Sequence, residues 1–208
     1  MNNPFLIAMR HTKALRYNDK SVLENHHCAI AFKLLLDPQN DVFELLSEAQ
    51  YWAVRQNIVK MILSSDISNH FDQIMTFKSR VASKKFPEDT DEDRQLLMNM
   101  SLYCADHAGP TKNSQLYFKW MAAECEEYYQ QGDLEKKLDF TVTPFFDRAT
   151  SNPFKFQLGY IDVIALPLYE TWCDFKPKMR ETLVEEGLKA NRNMLLQKID
   201  ETKTMLAE

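Results

Sequence analysis

Glycine and proline are scarce in this chain, with Gly 4 and Pro 8 among 208 residues. Collagen-like repeats, flexible Gly/Ser linkers and turn-rich β-sandwiches need far more of both, so those classes are excluded. Long apolar runs are also missing. The best stretch, Ile58 to Leu63, is broken by Lys60 and falls well short of the roughly 20 residues that cross a bilayer. No membrane span is expected. Nor is a signal peptide, because Arg10, His11, Lys13 and Arg16 interrupt any apolar N-terminal core. Positive charge is in the minority: Lys+Arg 25 against Asp+Glu 30 leaves a net charge of -5. A nucleic-acid binder carries the opposite balance, so no nucleic-acid partner is expected. Cysteine is sparse too. Cys28, Cys104, Cys125 and Cys173 lie far apart with no C-x-x-C pair. They read as reduced, buried thiols of an intracellular, cytoplasmic protein rather than a disulfide framework or a zinc site.

What is present is helical periodicity. Hydrophobic residues make up 45% and charged residues 26% of the chain, the balance of an ordinary globular protein. Ser21-Val-Leu-Glu24 has the form of a capping box opening a helix with Val22, Ala29, Ile30 and Leu34 on its apolar face, closed by Asp37-Pro38. A second helix is expected from Asp41, continuing over 50–64, and a third over 69–83 with Phe71, Ile74, Met75 and Phe77 inward. The acidic stretch 86–93, containing Pro87, reads as a solvated loop, and 94–106 as helix again. A long helix over 111–131 is expected to end at Gly132, with Asp133 capping a short one after it. A loop over 141–152 leads to Pro153, which suits the first turn of a helix over 154–175 that Pro167 should kink. One last helix runs over 177–207. No strand pattern and no internal repeat stand out. The expectation is an all-α, multi-helix bundle forming a single domain over 1–208.

Few residues offer chemistry on their own. Asp66 and His70 stand at i, i+4 and share a face if the segment is helical. Asp106-His107 lies near a helix end, just before Gly109-Pro110. Carboxylate and imidazole groups of this kind suit a divalent metal and a bound hydroxide, but an internally hydrogen-bonded Asp/His pair is the commoner outcome. Gln157 shares a helix face with Tyr160, Ile161 and Ile164. A polar amide on an apolar stripe can fix a planar ligand or tie down neighbouring backbone.

Specific strings carry more. Tyr17-Asn-Asp-Lys-Ser-Val-Leu-Glu-Asn-His-His27 resembles the YND-x-SVLENHH signature of class I cyclic-nucleotide phosphodiesterases. Ser65-Asp66-Ile-Ser-Asn-His70 is similar to that family's TDM-x-x-H segment, and Cys104-Ala-Asp-His-Ala-Gly-Pro110 to its C-A-D-x-x-x-P segment. Leu116-Tyr117, Trp120 and Glu126 to Asp133 resemble the helix that follows. Gln157-Leu-Gly-Tyr160-Ile-Asp162 and Pro167-Leu-Tyr-Glu-Thr-Trp172 resemble its glutamine helix and P-L-x-E-T-W string. The matches come in the family's order and cover nearly the whole chain.

The resemblance implies an all-helical catalytic domain that hydrolyses cyclic AMP or cyclic GMP to the 5′-monophosphate, with zinc and magnesium in the intact site. It places Asp106 on the metal-binding aspartate. It places Glu24, Ser65 and Asp66 on positions that hold metal-bound waters, Gln157 on the glutamine that meets the purine edge, and Tyr160 on the aromatic that stacks on it. The family's two histidine motifs, H-N-x-x-H and H-D-x-x-H, are not in this sequence, which has no His-Asp dipeptide. The reading is therefore of the C-terminal portion of such a domain, with no complete catalytic set and no metal held by this chain alone. Gly109 replaces an asparagine frequent in cAMP-selective members, and Glu124 stands where an apolar residue clamps the base. A charge at that position weakens a dry purine slot unless it turns to solvent. Another polypeptide is expected to cover the face left by the absent N-terminal helices, around Phe5, Leu6 and Ile7 and a polar cleft with Glu24, Asp66 and Asp106. The alternative is a non-catalytic, phosphodiesterase-like structural or interaction subunit.

Overall fold

The computed structural model describes residues 1–205, apart from Lys84 and Asp89. Helices fill it, and no strand occurs among the described residues. The contacts divide the chain into two compact units, Met1–Asp106 and His107–Glu208.

The first unit holds α1 (Asn3–Ala8), α2 (Thr12–Arg16), α3 (Val22–Leu35), α4 (Glu48–Ser64), a 3₁₀ turn (Ile67–Asn69), α5 (His70–Ala82) and α6 (Asp91–Asp106). Leu6, Ala14 and Val22 form a buried cluster with Ile7, Tyr17 and Leu23 packed against it. Phe5 and Leu6 are buried, which overturns the expectation that they lie open for a partner: α1 folds back onto α2 and α3 and covers them. The capping box at Ser21 does not form. Ser21 adopts a left-handed backbone, φ 39°, and makes no cap bond. Its hydroxyl instead donates to Asp66 Oδ2 at 2.7 Å. Asn3 takes over, its Oδ1 accepting from Leu23 N–H and its Nδ2 donating to Glu24.

Three further expectations fail here. The stretch from Asp41 is turn, and α4 starts at Glu48 behind a genuine capping box of Ser47 and Gln50. Ile30, Leu34, Phe71 and Met75 are exposed, while Cys28 and Phe32 on α3 and His70, Ile74 and Phe77 on α5 point inward. Both helices carry two competing apolar stripes, and tertiary packing selects between them. Asp93, expected in a solvated loop, is buried inside α6 and accepts from the Arg80 guanidinium and from Glu88 N–H. Asp89 of that stretch lies outside the described residues.

The second unit opens with a 3₁₀ turn (Gly109–Thr111) and α7 (Ser114–Lys137). Gly132 does not end α7, and Asp133 starts no separate helix. The helix runs through both, and the chain at Phe146 passes so close to Gly132 that a Cβ there would overlap the Phe146 carbonyl oxygen. Glu135, further along α7, ties down the loop by accepting from Thr143 Oγ1 at 2.7 Å and from Gln131. The expected loop then leads to α8 (Pro153–Tyr160), a π-helical turn (Ile161–Ala165) and α9 (Leu166–Phe175). The irregular turn sits just ahead of Pro167, which has no N–H to continue an α-helical ladder. A 3₁₀ turn (Pro177–Met179), a π-helical stretch (Glu181–Lys189) and α10 (Ala190–Met205) complete the chain, and the expected end at Ala207 lies outside the described residues. Ile161, Leu168, Val184, Leu188 and Leu195 are fully buried. Gly187 meets the Gly109–Thr111 turn so closely that a Cβ would lie 2.7 Å from Thr111 O, and Asn191 Nδ2 donates to the carbonyls of Pro110 and Lys112, both at 2.8 Å.

Candidate functional site

In the first unit the polar groups gather around the start of α3. Asp66 caps the Ile67–Asn69 turn by accepting from Ser68 N–H at 2.9 Å, and it also accepts from Ser21 Oγ. Burial alone pushes its carboxyl up, but those bonds outweigh burial and hold it below the ordinary aspartate value. Glu24 lies in the first turn of α3 and accepts from Asn3 at 2.9 Å. Ser65 closes α4, with its hydroxyl donating to Ile62 O at 2.8 Å.

His70 begins α5, and its Nδ1 bonds to the Tyr103 hydroxyl at 2.8 Å. The Tyr103 hydroxyl is pushed upward by burial first, then by the negative fields of Asp106 and Asp66. Tyr103 thus feels the charge of both carboxylates. Asp106 itself is exposed, at the last residue of α6. The i, i+4 relation of Asp66 and His70 survives in altered form: Asp66 caps the short turn, and His70 starts the helix after it. Tyr103 was not singled out from the sequence, although it stands three residues before Asp106, on the same helix face.

In the second unit Gln157 is buried on α8, with its amide suspended between two residues of α7. Oε1 accepts from the Tyr117 hydroxyl at 3.2 Å, and Nε2 donates to Glu124 Oε2 at 3.3 Å. Glu124 therefore turns toward Gln157, not to solvent. Burial pushes its carboxyl above the ordinary glutamate value; the bond from Gln157 lowers it, and Glu127 raises it again. Tyr117 is read from the sequence only as part of a matching string, not as a site residue. Its position seven residues before Glu124, two turns along one helix, is the signal that links them. Tyr160, at the end of α8, is half-buried, and its hydroxyl bonds to Nδ1 of the buried His107.

The resident metal of such a site needs several donors at once, three protein ligands for a catalytic zinc. Among the described residues no three His, Cys, Asp or Glu side chains gather to hold one. Exposed Asp106 alone does not fit the requirement, so no step is assigned to a metal on this chain.

Comparisons with known proteins agree on the family. The sequence pattern of the 3′5′-cyclic nucleotide phosphodiesterases matches residues 1–186. The 3′,5′-cyclic-AMP phosphodiesterase 4C of Rattus norvegicus is 38% identical over 199 residues, covering 92% of this chain and 37% of the relative. Isoform F of the Drosophila melanogaster 3′,5′-cyclic-AMP phosphodiesterase is 36% identical over 200 residues, covering 93% of this chain and 30% of that protein. The chain thus spans about a third of the length of these curated relatives. The crystal structure of the phosphodiesterase domain of Salpingoeca rosetta rhodopsin phosphodiesterase matches with a TM-score of 0.92 at 26% identity, covering 100% of this chain and 63% of that one. With an all-helical fold, the family pattern over most of its length and relatives above a third identical, the chain belongs to the 3′,5′-cyclic nucleotide phosphodiesterase family.

Proposed function

We propose that this chain is the base-recognising portion of a phosphodiesterase that opens a 3′,5′-cyclic nucleotide to its 5′-monophosphate, and that alone it does not turn substrate over. The observation that supports this most is the buried Gln157 amide, held at a fixed place by Tyr117 and Glu124. A primary amide has two N–H groups and two lone pairs. Each partner uses one, which leaves one donor and one acceptor side by side for a planar base edge. Tyr160, one turn on, supplies a ring for stacking, and its tie to His107 limits how that ring can turn. Cyclic AMP is the first candidate, because the relatives at 36–38% identity are cyclic-AMP phosphodiesterases.

Asp106 is the one metal ligand we assign here, with Glu24, Ser65 and Asp66 orienting bound water. The remaining donors for zinc and magnesium come from a histidine-bearing polypeptide segment. A cytoplasmic setting fits the four cysteines, all free and buried.

Calorimetric titration of the chain with cyclic AMP and cyclic GMP tests the base-binding role. Gln157→Ala should weaken binding by roughly 1–3 kcal/mol, and Tyr160→Ala should weaken it further. Variants that bind like the parent while melting earlier would refute it. With Zn²⁺ and Mg²⁺ added, the pure chain should hydrolyse neither nucleotide; turnover that Asp106→Asn abolishes would refute the dependence on outside donors. A purely structural subunit is the second reading, and one observation favours it: Glu124 occupies the Gln157 amide from within.

A further inference from the structure

The exposed charges of the first unit are sorted onto the two ends of α3. At its N-terminal end lies α2 with its flanks. Residues 9–18 carry Arg10, Lys13 and Arg16 and no carboxylate, and Leu15 among them is 65% exposed. Ala14 of α2 shares a buried cluster with Val22, the first residue of α3, which fixes α2 at that end. The cations stand together there. The His26 imidazole on α3 is held below its ordinary value by burial first, then by the charges of Lys13, His27 and Arg16. Asp19 and Lys20, next along the chain, offset each other.

At the C-terminal end the balance is reversed. Residues 36–48 carry Asp37, Asp41, Glu44 and Glu48, all exposed, and no cation. Leu36 is 78%, Val42 76% and Leu45 96% exposed. The segment is a formed turn. Asn40 N–H donates to Asp37 O at 2.8 Å, Leu46 N–H donates to Phe43 O at 2.9 Å, and the Phe43 ring meets Tyr51 of α4 edge-on at 6.4 Å.

Neither group of charges has a partner of its own. Among the described residues, none of these three cations and none of these four carboxylates enters an ion pair. Nor does the stability of α3 account for them. A helix favours anions at its N-terminus and cations at its C-terminus. Glu24 and Lys33 inside α3 obey that rule, and the flanks do the opposite. The 14 residues of α3, a rise of about 20 Å, hold the two groups apart. Exposed charges interact over roughly 10 Å at 0.1 M salt.

We propose that this chain associates with copies of itself head to tail, the basic α2 face of one copy receiving the acidic, apolar 36–48 turn of the next. Leu15 then packs against Leu36, Val42 and Leu45, covering apolar surface that is open at both ends of the single chain. The α3 dipole adds to both charges, positive at the end that bears cations and negative at the other. The two surfaces differ, so the contact is heterologous. Each terminal copy keeps one surface free, and assembly continues as an open chain or closes as a ring. The contact lies within the first unit and is independent of how Gln157 is used.

Sedimentation velocity of the full chain over a range of concentrations tests it. At about 0.05 M salt the mean sedimentation coefficient should climb with concentration, and at about 0.5 M salt, where screening is short, it should climb far less. Asp41→Lys with Glu44→Lys should weaken association at least about tenfold, as should Arg10→Glu with Arg16→Glu, because like charges then face each other. Leu45→Ser should weaken it about tenfold and leave the salt dependence unchanged. Neither charge-reversed protein should assemble alone, yet the two mixed should assemble like the parent, since each then presents what the other lacks. A parent that stays monomeric at every concentration in low salt overturns the proposal. So does association that ignores salt, or a loss in either folded charge-reversed protein that mixing does not restore, which would assign that surface to a different partner. Where a reversed protein loses the far-ultraviolet circular dichroism of the parent, the salt dependence of the parent and Leu45→Ser decide.

Discussion

Each unit carries a carboxylate near its candidate site residues, Asp66 buried and Glu124 half-buried, and the two are treated in opposite ways. Asp66 accepts from Ser21 Oγ and from Ser68 N–H, and the net effect is a carboxyl held below its ordinary value. Glu124 accepts a single longer bond from an amide, at 3.3 Å, with Glu127 close by, and it is pushed up. Hydroxyl and backbone donors supplied by the fold turn a buried charge into an anchor. A charge with one weak donor costs stability, and a costly group that persists is where a protein has room to use a proton. Asp66 joins the start of α3 to the turn before α5. Glu124 joins two helices only through a side chain that is itself assigned to ligand recognition.

The largest effect expected from breaking this contrast lies at Asp66. Asp66→Ala removes the acceptor for Ser21 and Ser68 together. Bonds to an ionised group are worth about 1.5–3 kcal/mol each when measured one at a time, and buried donors left behind cost more. A loss of about 2–4 kcal/mol is expected for the variant, read as a drop in the urea midpoint at unchanged slope. A change under about 0.5 kcal/mol, the size typical of a plain surface substitution, would show that the anchor is nominal.

A smaller effect sharpens the same point through pH. The Asp66 carboxyl lies below its ordinary value of 3.8. Its contribution is therefore fully present above that value and is lost as pH falls through the lower, folded value. Asp66→Asn should flatten the acid limb of the stability curve below about pH 4 and shift the neutral region by a constant amount. Parallel curves for parent and variant down to pH 2, about two units under the ordinary aspartate value, would count against it.

The same two residues show where sequence reading succeeds and fails. Helical class, the loop before Pro153 and the disturbance near Pro167 were all legible, since each follows from local periodicity or from proline geometry. Ser21-x-x-Glu24 and Ser47-x-x-Gln50 carry the same local signal, yet only Ser47 forms a box. What separates them is Asp66, 45 residues from Ser21 in the chain, and local spacing holds no trace of it. Gly132 fails for a related reason. A helix-ending glycine and a glycine that admits a neighbouring backbone look alike until Phe146 is in place. Asp106, Gln157 and Tyr160 are singled out by motif resemblance, not by spacing. The Tyr117–Glu124–Gln157 contact was half legible: one face of α7 holds two of the three, and only packing brings the third.

The smallest expected effect is the most direct test of the contrast. Because Glu124 is pushed above its ordinary value of 4.5, its charged form is disfavoured in the folded chain. Below the ordinary value the carboxyl is protonated in both folded and unfolded chains, and no cost arises. As pH rises from there through the folded value, the unfolded chain ionises more readily and stability falls. Glu124→Gln keeps an oxygen to accept from Gln157 Nε2 and removes the charge. It should therefore stabilise the chain by about 0.5–1 kcal/mol at pH 8, the scale of a modest desolvation cost relieved, and change nothing at pH 4. Thermal melts at the two pH values check it. The sign is opposite to that at Asp66, where removing the charge weakens the fold. A variant that destabilises equally at both values would mean that Glu124 is a second anchor, and the difference between the two carboxylates would disappear.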